Sequence, residues 1–334
     1  MEEEVFATKE FSQISLSGPL YVVLNITNKC NLKCLHCFNN SPKSASLSSC
    51  ELDDNEIIKL IEELGEMKVA NVCFSGGEPF IRKELLFRCL KILGRLNIRT
   101  SIVTNGTLID KQTAEMLNVL GVKEVQVSLD GSNEETHERL RQVKGSFNLA
   151  LQGIKNLCHS GITTSISYTL NKWNASEVGE LIDELSDIPI KALNIRPLLE
   201  IGAASFLNNK LTAPNSKQYR DVAKTIYKYK LKGTKFEIGF NDPLSHIYYY
   251  RETKVNTVIE IQSDGEIFPS YCIPISVGNV RDKSLRNYWD FELKQLWMNK
   301  KVEEIAKKIY SCKDLKEVTS DIGNGEKSKV TLAY

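Results

Sequence analysis

The segment Cys30-Asn31-Leu32-Lys33-Cys34-Leu35-His36-Cys37 sets three soft ligands into one short loop, in the pattern C-x3-C-x2-C, directly after the apolar run Tyr21 to Ile26. The thiolate, not the thiol, is the donor to zinc or to an iron-sulfur cluster. A closed zinc site takes four protein ligands, so three cysteines suit a centre that keeps one position open for chemistry. His36 could complete a Cys3His zinc knuckle, but neighbours in an extended segment project to opposite sides. Three cysteines packed as small hydrophobes are the other alternative. The company of Asn28, Lys29, Asn31 and Lys33 makes this a poor core segment.

Working outward, the 334 residues, 42% of them apolar, suffice for one large α/β domain with an appended subdomain. With 43 basic against 42 acidic residues there is no electrostatic footprint for nucleic acid or a membrane surface, and neither is expected as a partner. The start, Met1-Glu2-Glu3-Glu4, is acidic, and no apolar segment approaches the roughly 20 residues a membrane helix needs. Nine cysteines, an odd number and mostly scattered, fit a reducing compartment better than a disulfide framework. A soluble, cytoplasmic protein is expected.

Tyr21 to Ile26, Ala70 to Phe74, Thr100 to Val103, Glu124 to Leu129, Thr163 to Leu170 and Lys191 to Ile195 each read as a buried strand, most followed by an amphipathic helical stretch. In the first such stretch Asp53 and Glu56 form a capping-box start, and Ile57, Leu60, Ile61 and Leu64 fall at helical spacing. Repeated strand-helix units imply a parallel sheet with right-handed crossovers, open or curled into a barrel. About six units is fewer than the eight of a closed TIM barrel. The polar signals fall at the C-terminal strand ends, where parallel α/β barrels carry their active sites. Ser75-Gly76-Gly77-Glu78-Pro79 follows strand two, Thr104-Asn105-Gly106 strand three, Ser128-Leu129-Asp130-Gly131 strand four, Thr169-Leu170-Asn171 strand five and Arg196-Pro197 strand six. Paired glycines let a ligand approach the backbone, while Thr-Asn-Gly and Asp-Gly are also ordinary turn formers. Asp130 is read as a cap for the helix that follows it.

The cysteine spacing resembles that of the radical S-adenosylmethionine (SAM) enzymes, whose motif carries an aromatic or similar residue before the third cysteine, the place His36 holds. The resemblance implies a partial (β/α)6 TIM-like barrel, with Cys30, Cys34 and Cys37 ligating three irons of one 4Fe-4S cluster and SAM chelating the fourth. One electron, from a donor such as flavodoxin or ferredoxin, then releases a 5′-deoxyadenosyl radical from SAM. Ser75, Gly76, Gly77 and Glu78 match the family's GGE motif, which holds the amino group of SAM. By the same resemblance Ser128 reaches the ribose, Asn171 the ribose or adenine edge, and Arg196 the carboxylate or the substrate. A side chain at Gly77 is expected to obstruct SAM while leaving the cysteine loop intact.

Beyond Pro197 the alternation stops. Leu198 to Pro214 is a long connection of the kind that serves as a lid, and a helix from about Ser216 to Tyr229 follows. Thr257 to Ile261 and Glu266 to Pro269 flank Asp264-Gly265 as a hairpin. The hairpin and the segment to Trp289 resemble the start of a SPASM or twitch subdomain, which binds auxiliary iron-sulfur clusters in many peptide-modifying radical SAM enzymes. Ser270 stands where that pattern has a cysteine, and Cys272 and Cys312 are too few for a four-thiolate cluster. The expected organisation is an N-terminal extension (1–19), the partial barrel (20–214), a small metal-free α+β subdomain (215–318) and a mobile tail (319–334).

The expected substrate is a ribosomally made peptide, epimerised or cross-linked. A small molecule (a sugar, a tetrapyrrole or a cofactor precursor) is the alternative, and a non-catalytic zinc protein the alternative of another class. Cys272, just past the hairpin, is either a buried small hydrophobe beside Ile273 or the hydrogen-atom donor of an epimerase, facing the barrel mouth.

Overall fold

The computed structural model describes residues 16–41, 50–207, 210–270, 272–273, 275–321 and 328–329. The expected N-terminal extension up to residue 15 and the expected tail beyond 321, apart from 328–329, lie outside them.

Six parallel strands, β1 (Tyr21–Thr27), β2 (Asn71–Gly76), β3 (Arg99–Thr104), β4 (Glu124–Ser128), β5 (Thr163–Leu170) and β6 (Ala192–Pro197), lie side by side in chain order. Helices α1 (Asp54–Glu66), α2 (Lys83–Arg95), α3 (Lys111–Val119), α4 (Glu134–Arg141), α5 (Ser146–His159) and α6 (Val178–Glu184) make the crossovers. A sheet whose order never reverses puts every right-handed crossover on one face, so the helices form an outer layer and the sheet curls around its other face. This is the partial (β/α)6 barrel.

The register sorts the side chains. Leu24, Phe74, Ile102 and Val125 are Cα partners across successive strands, and all four are fully buried. The alternate residues Asn25, Ser75, Ser101 and Gln126 face inward and line a cavity of about 780 Å³. Helix α1 begins as its residues dictate: Asp53 and Glu56 exchange the two capping-box hydrogen bonds, and Ile57, Leu60, Ile61 and Leu64 are buried.

The sheet continues past both ends of this run. After α7 (Ser216–Lys232), β7 (Glu237–Phe240) pairs parallel with β6. After α8 (Ser245–Thr253), β8 (Val258–Ile261) pairs parallel with β1, and β9 (Glu266–Phe268) closes the hairpin antiparallel to β8. Strand β10 (Ile275–Ser276) pairs with β12 (Ser328–Lys329), and β11 (Gly278–Asn279) edges the large sheet against β9. A short helix α9 (Leu285–Tyr288) runs into a π-helical turn, Trp289–Leu293, followed by α10 (Lys300–Ala306) and α11 (Cys312–Asp321). Trp289 and Trp297, both essentially unexposed, anchor this end of the core, with Tyr250 against Trp297 at 5.1 Å between ring centroids. Among the described residues no helix is long and apolar enough to cross a membrane.

Candidate active site

Strand β1 delivers the cysteine loop to the barrel mouth, and the loop is held there from several sides. Glu51 accepts the Thr27 hydroxyl (3.0 Å) and the Asn28 N–H (2.6 Å) at its entry. Asn105, at the end of β3, donates through Nδ2 to Asn31 Oδ1 (2.8 Å), and Asn31 donates to the Thr107 hydroxyl (2.8 Å). At its exit the Cys37 carbonyl accepts the Ala203 N–H (2.9 Å). The adjacent Gly202 has φ +60, and a Cβ there would lie 2.5 Å from that carbonyl and 2.3 Å from the carbonyl of Phe38. The long connection after β6 thus packs over the loop.

Cys30, Cys34 and Cys37 all line the 780 Å³ cavity. Each sulfur accepts a hydrogen bond: Cys30 from Leu32 N–H (3.4 Å), Cys34 from Arg141 Nη1 (3.5 Å) and Cys37 from Ser41 N–H (3.3 Å). Burial pushes the Cys30 thiol up to about 12 and raises the Cys34 thiol as well, so a bare thiolate is disfavoured there. Three cysteines that line one cavity, each sulfur already supplied with an N–H donor, fit the ligation of a 4Fe-4S cluster.

The glycine pair is closer to that loop than its sequence suggests. Gly77 N–H donates to Thr27 O (2.7 Å) and Glu78 N–H to Lys29 O (2.8 Å). A Cβ on Gly77 would stand 2.2 Å from Lys29 O, and one on Gly76 2.2 Å from Thr27 O. The expectation that a side chain at Gly77 spares the cysteine loop is therefore corrected, because the glycines are required first by the approach of that loop's own backbone. Ser75 and Gly76 still face the cavity, where the Gly76 carbonyl accepts Asn39 Nδ2 (3.0 Å).

Glu78 lies behind the pair, fully buried, and is not among the cavity-lining residues. Its carboxylate accepts from Thr104 Oγ1 (2.8 Å), Asn105 N–H (2.8 Å) and Phe80 N–H (3.2 Å), tying β2 to the end of β3. Burial nevertheless raises it to about 7.

The other expected site residues divide. Ser128, Arg196 and His36 line the cavity. Asn171 does not: its side chain closes its own turn, accepting Trp173 N–H (3.0 Å) and donating to Thr169 O (2.9 Å). Cys272 is 1% exposed inside the main apolar core, so its thiol does not face the barrel mouth as a hydrogen donor there would have to. Asp130 is not a helix cap, since Asn133 caps α4 by accepting Thr136 N–H. It sits instead, fully buried, against Arg141 Nη2 (2.5 Å) and His36 Nε2 (3.1 Å). Burial alone would raise its carboxyl, yet Arg141 and His36 hold it well below the usual carboxylate range. The backbone N–H of Asp130 donates to His137 Nδ1 (3.1 Å), and burial depresses His137 to about 3. Arg141 and Glu51 went unnoticed in the sequence, where nothing in their spacing marks them.

The sequence model of the Radical SAM superfamily matches residues 24–185. Over 211 residues the chain is 36% identical to Fe-coproporphyrin III synthase of Methanosarcina barkeri, an alignment covering 63% of this chain and 52% of that protein, about half its length. It is 23% identical over 287 residues to PqqA peptide cyclase of Granulibacter bethesdensis, covering 82% and 75%. The solved structure of native anSMEcpe with bound AdoMet superposes with a TM-score of 0.67 at 19% identity, covering 94% of this chain and 93% of that one, a likeness of fold.

Proposed function

We propose that this chain is a radical SAM enzyme that modifies a residue of a ribosomally made peptide by epimerisation or cross-linking. The observation that carries the substrate class is the barrel lining. Asn25, Asn71, Ser101, Gln126, Ser167 and Thr169 present amides and hydroxyls to the cavity. Arg196 also lines it, and among the described residues its guanidinium is in no hydrogen bond or salt bridge. Such a lining can serve the amides of a peptide, and Arg196 a carboxylate.

Cys30, Cys34 and Cys37 would hold a 4Fe-4S cluster, which, reduced by an external one-electron donor, would supply the electron for reductive cleavage of SAM and hence for substrate hydrogen abstraction. The chain's own residues bind and orient. In this reading the Gly76 carbonyl exchanges Asn39 for the ammonium of SAM, Ser128 meets the ribose and Arg196 takes a carboxylate. The cavity, at about 780 Å³, lies in the upper part of the roughly 300–1,000 Å³ usual for ligand sites.

A tetrapyrrole is the second reading, carried by the 36% identity to Fe-coproporphyrin III synthase. The test is 5′-deoxyadenosine formation by reconstituted protein given either short peptides encoded beside its gene or iron coproporphyrin III. Stimulation by one peptide is expected, together with loss of two hydrogens (cross-link) or uptake of one solvent deuterium (epimerisation). Stimulation by the porphyrin alone overturns the peptide reading.

A further inference from the structure

The last turn of α4 is laid against the cysteine loop. Lys33 N–H donates to Arg141 O (3.2 Å) and Leu35 N–H to Leu140 O (2.9 Å). The Arg141 side chain reaches the same loop, with Nη1 donating to Cys34 Sγ (3.5 Å) and Nη2 against Asp130 Oδ2 at 2.5 Å. Asp130 is fixed in turn by Thr169 N–H, donated to its Oδ1 at 2.8 Å. Asp130 is fully buried and Arg141 is 8% exposed, and charges this deep are tolerated only when paired. Asp130 does not line the cavity, so contact with substrate does not account for it.

A hydrogen bond or a positive charge beside a cluster sulfur makes the added electron easier to hold, and a negative charge does the reverse. We propose that Arg141 and Asp130 are positioning residues that set the reduction potential of the cluster held by Cys30, Cys34 and Cys37. Arg141 acts through its hydrogen bond to Cys34 Sγ, and Asp130 acts by aiming Arg141 and offsetting its charge. The pair is neutral as a unit, so deleting either member changes the local charge by one unit, in opposite directions.

The inference rests on the cluster reading, and iron content reports on that reading separately. The experiment is an EPR-monitored redox titration of reconstituted protein without SAM, at matched loading of about four irons per chain. Arg141→Met should lower the midpoint and Asp130→Asn should raise it, each by at least a tenfold change in the reduced-to-oxidised ratio at fixed potential, ~59 mV for a one-electron couple. The double variant should return toward the parent. Unchanged midpoints, or two shifts of the same sign, overturn the proposal even though the parent holds its iron. Should both single variants fail to retain iron, Arg141→Lys carries the test. A point-charge ammonium cannot serve Asp130 and Cys34 together as the guanidinium fork does, so its midpoint should fall. A parental midpoint in that variant overturns the proposal.

Discussion

Two regions of the molecule invite a metal-site reading, and the fold treats them in opposite ways. At the barrel mouth three cysteines face one cavity, and each sulfur accepts an N–H. Past the β8–β9 hairpin, where the SPASM-like pattern calls for a thiol, Ser270 shares a 2.6 Å hydrogen bond with His246 Nε2 and accepts the N–H of Cys272 at 3.1 Å. Cys272 itself packs among apolar side chains. One region converges donors on a space and the other closes the space with a hydroxyl-imidazole contact and core packing. Convergence on a cavity, more than the number of cysteines nearby, distinguishes a ligand set from a core.

The largest effect that bears on this contrast is iron content. Replacing Cys30, Cys34 and Cys37 together with alanine should take bound iron from about four per chain to none, while Cys272→Ala with Cys312→Ala should leave about four. Iron near eight in the parent, or iron lost from the second variant, would erase the distinction between the regions. Cys272→Ala should also leave 5′-deoxyadenosine and product formation intact and cost about 1 kcal/mol of stability as a core truncation.

Gly77→Val sharpens the mouth side. A Cβ there would stand 2.2 Å from Lys29 O, far inside van der Waals contact, so the loop must shift. Overpacking of this kind costs about 1–3 kcal/mol or more. We expect a lowered melting temperature and reduced iron retention together. A variant that keeps parental iron and melting temperature but loses SAM cleavage would return the glycines to a purely cofactor-binding role.

The most gradual effect is a pH slope. Glu78 is raised from its ordinary value of 4.5 to about 7 in the fold, so over that range the unfolded chain binds fewer protons than the folded one. Stability should therefore fall as pH rises through the window, by up to about 3 kcal/mol at 1.36 kcal/mol per unit. Glu78→Gln, destabilised at all pH by the acceptor it lacks, should lose this slope. Denaturant midpoints at pH 5 and pH 8 read it directly, and equal slopes in parent and variant would remove Glu78 as its source.

Much of the barrel was legible because strand alternation and helical spacing are local signals: the six strands and the capping box at Asp53 lie within a residue or two of where the pattern puts them. Strand β7 was not read, since Glu-Ile-Gly-Phe has four residues and a glycine, and only pairing with β6 makes it a strand. Helix α8, rich in tyrosine, likewise escaped a reading by apolar period. At the site, the ligand loop and the glycine pair carry motifs, whereas the groups that support them do not. Arg141 reaches Cys34 from 107 positions away, and Asn105 reaches Asn31 from 74. In sequence Asp130 reads as a cap, because acidic residues before helices commonly are, and only the buried guanidinium shows its other use.

The placement of β1 between β2 and β8 bears on how the protein is made. Asn25 on β1 donates to Glu260 on β8, 235 positions later in the chain. At a translation rate of about 5–20 residues per second, the strand that carries the cysteine loop waits roughly 10–50 s on the ribosome for its second neighbour. Until then the thiols sit beside an unfinished sheet edge, and long-range closure of this kind is slow once it begins. Arrested nascent chains that end before β8 should expose Cys30, Cys34 and Cys37 to alkylation more readily than the released protein does.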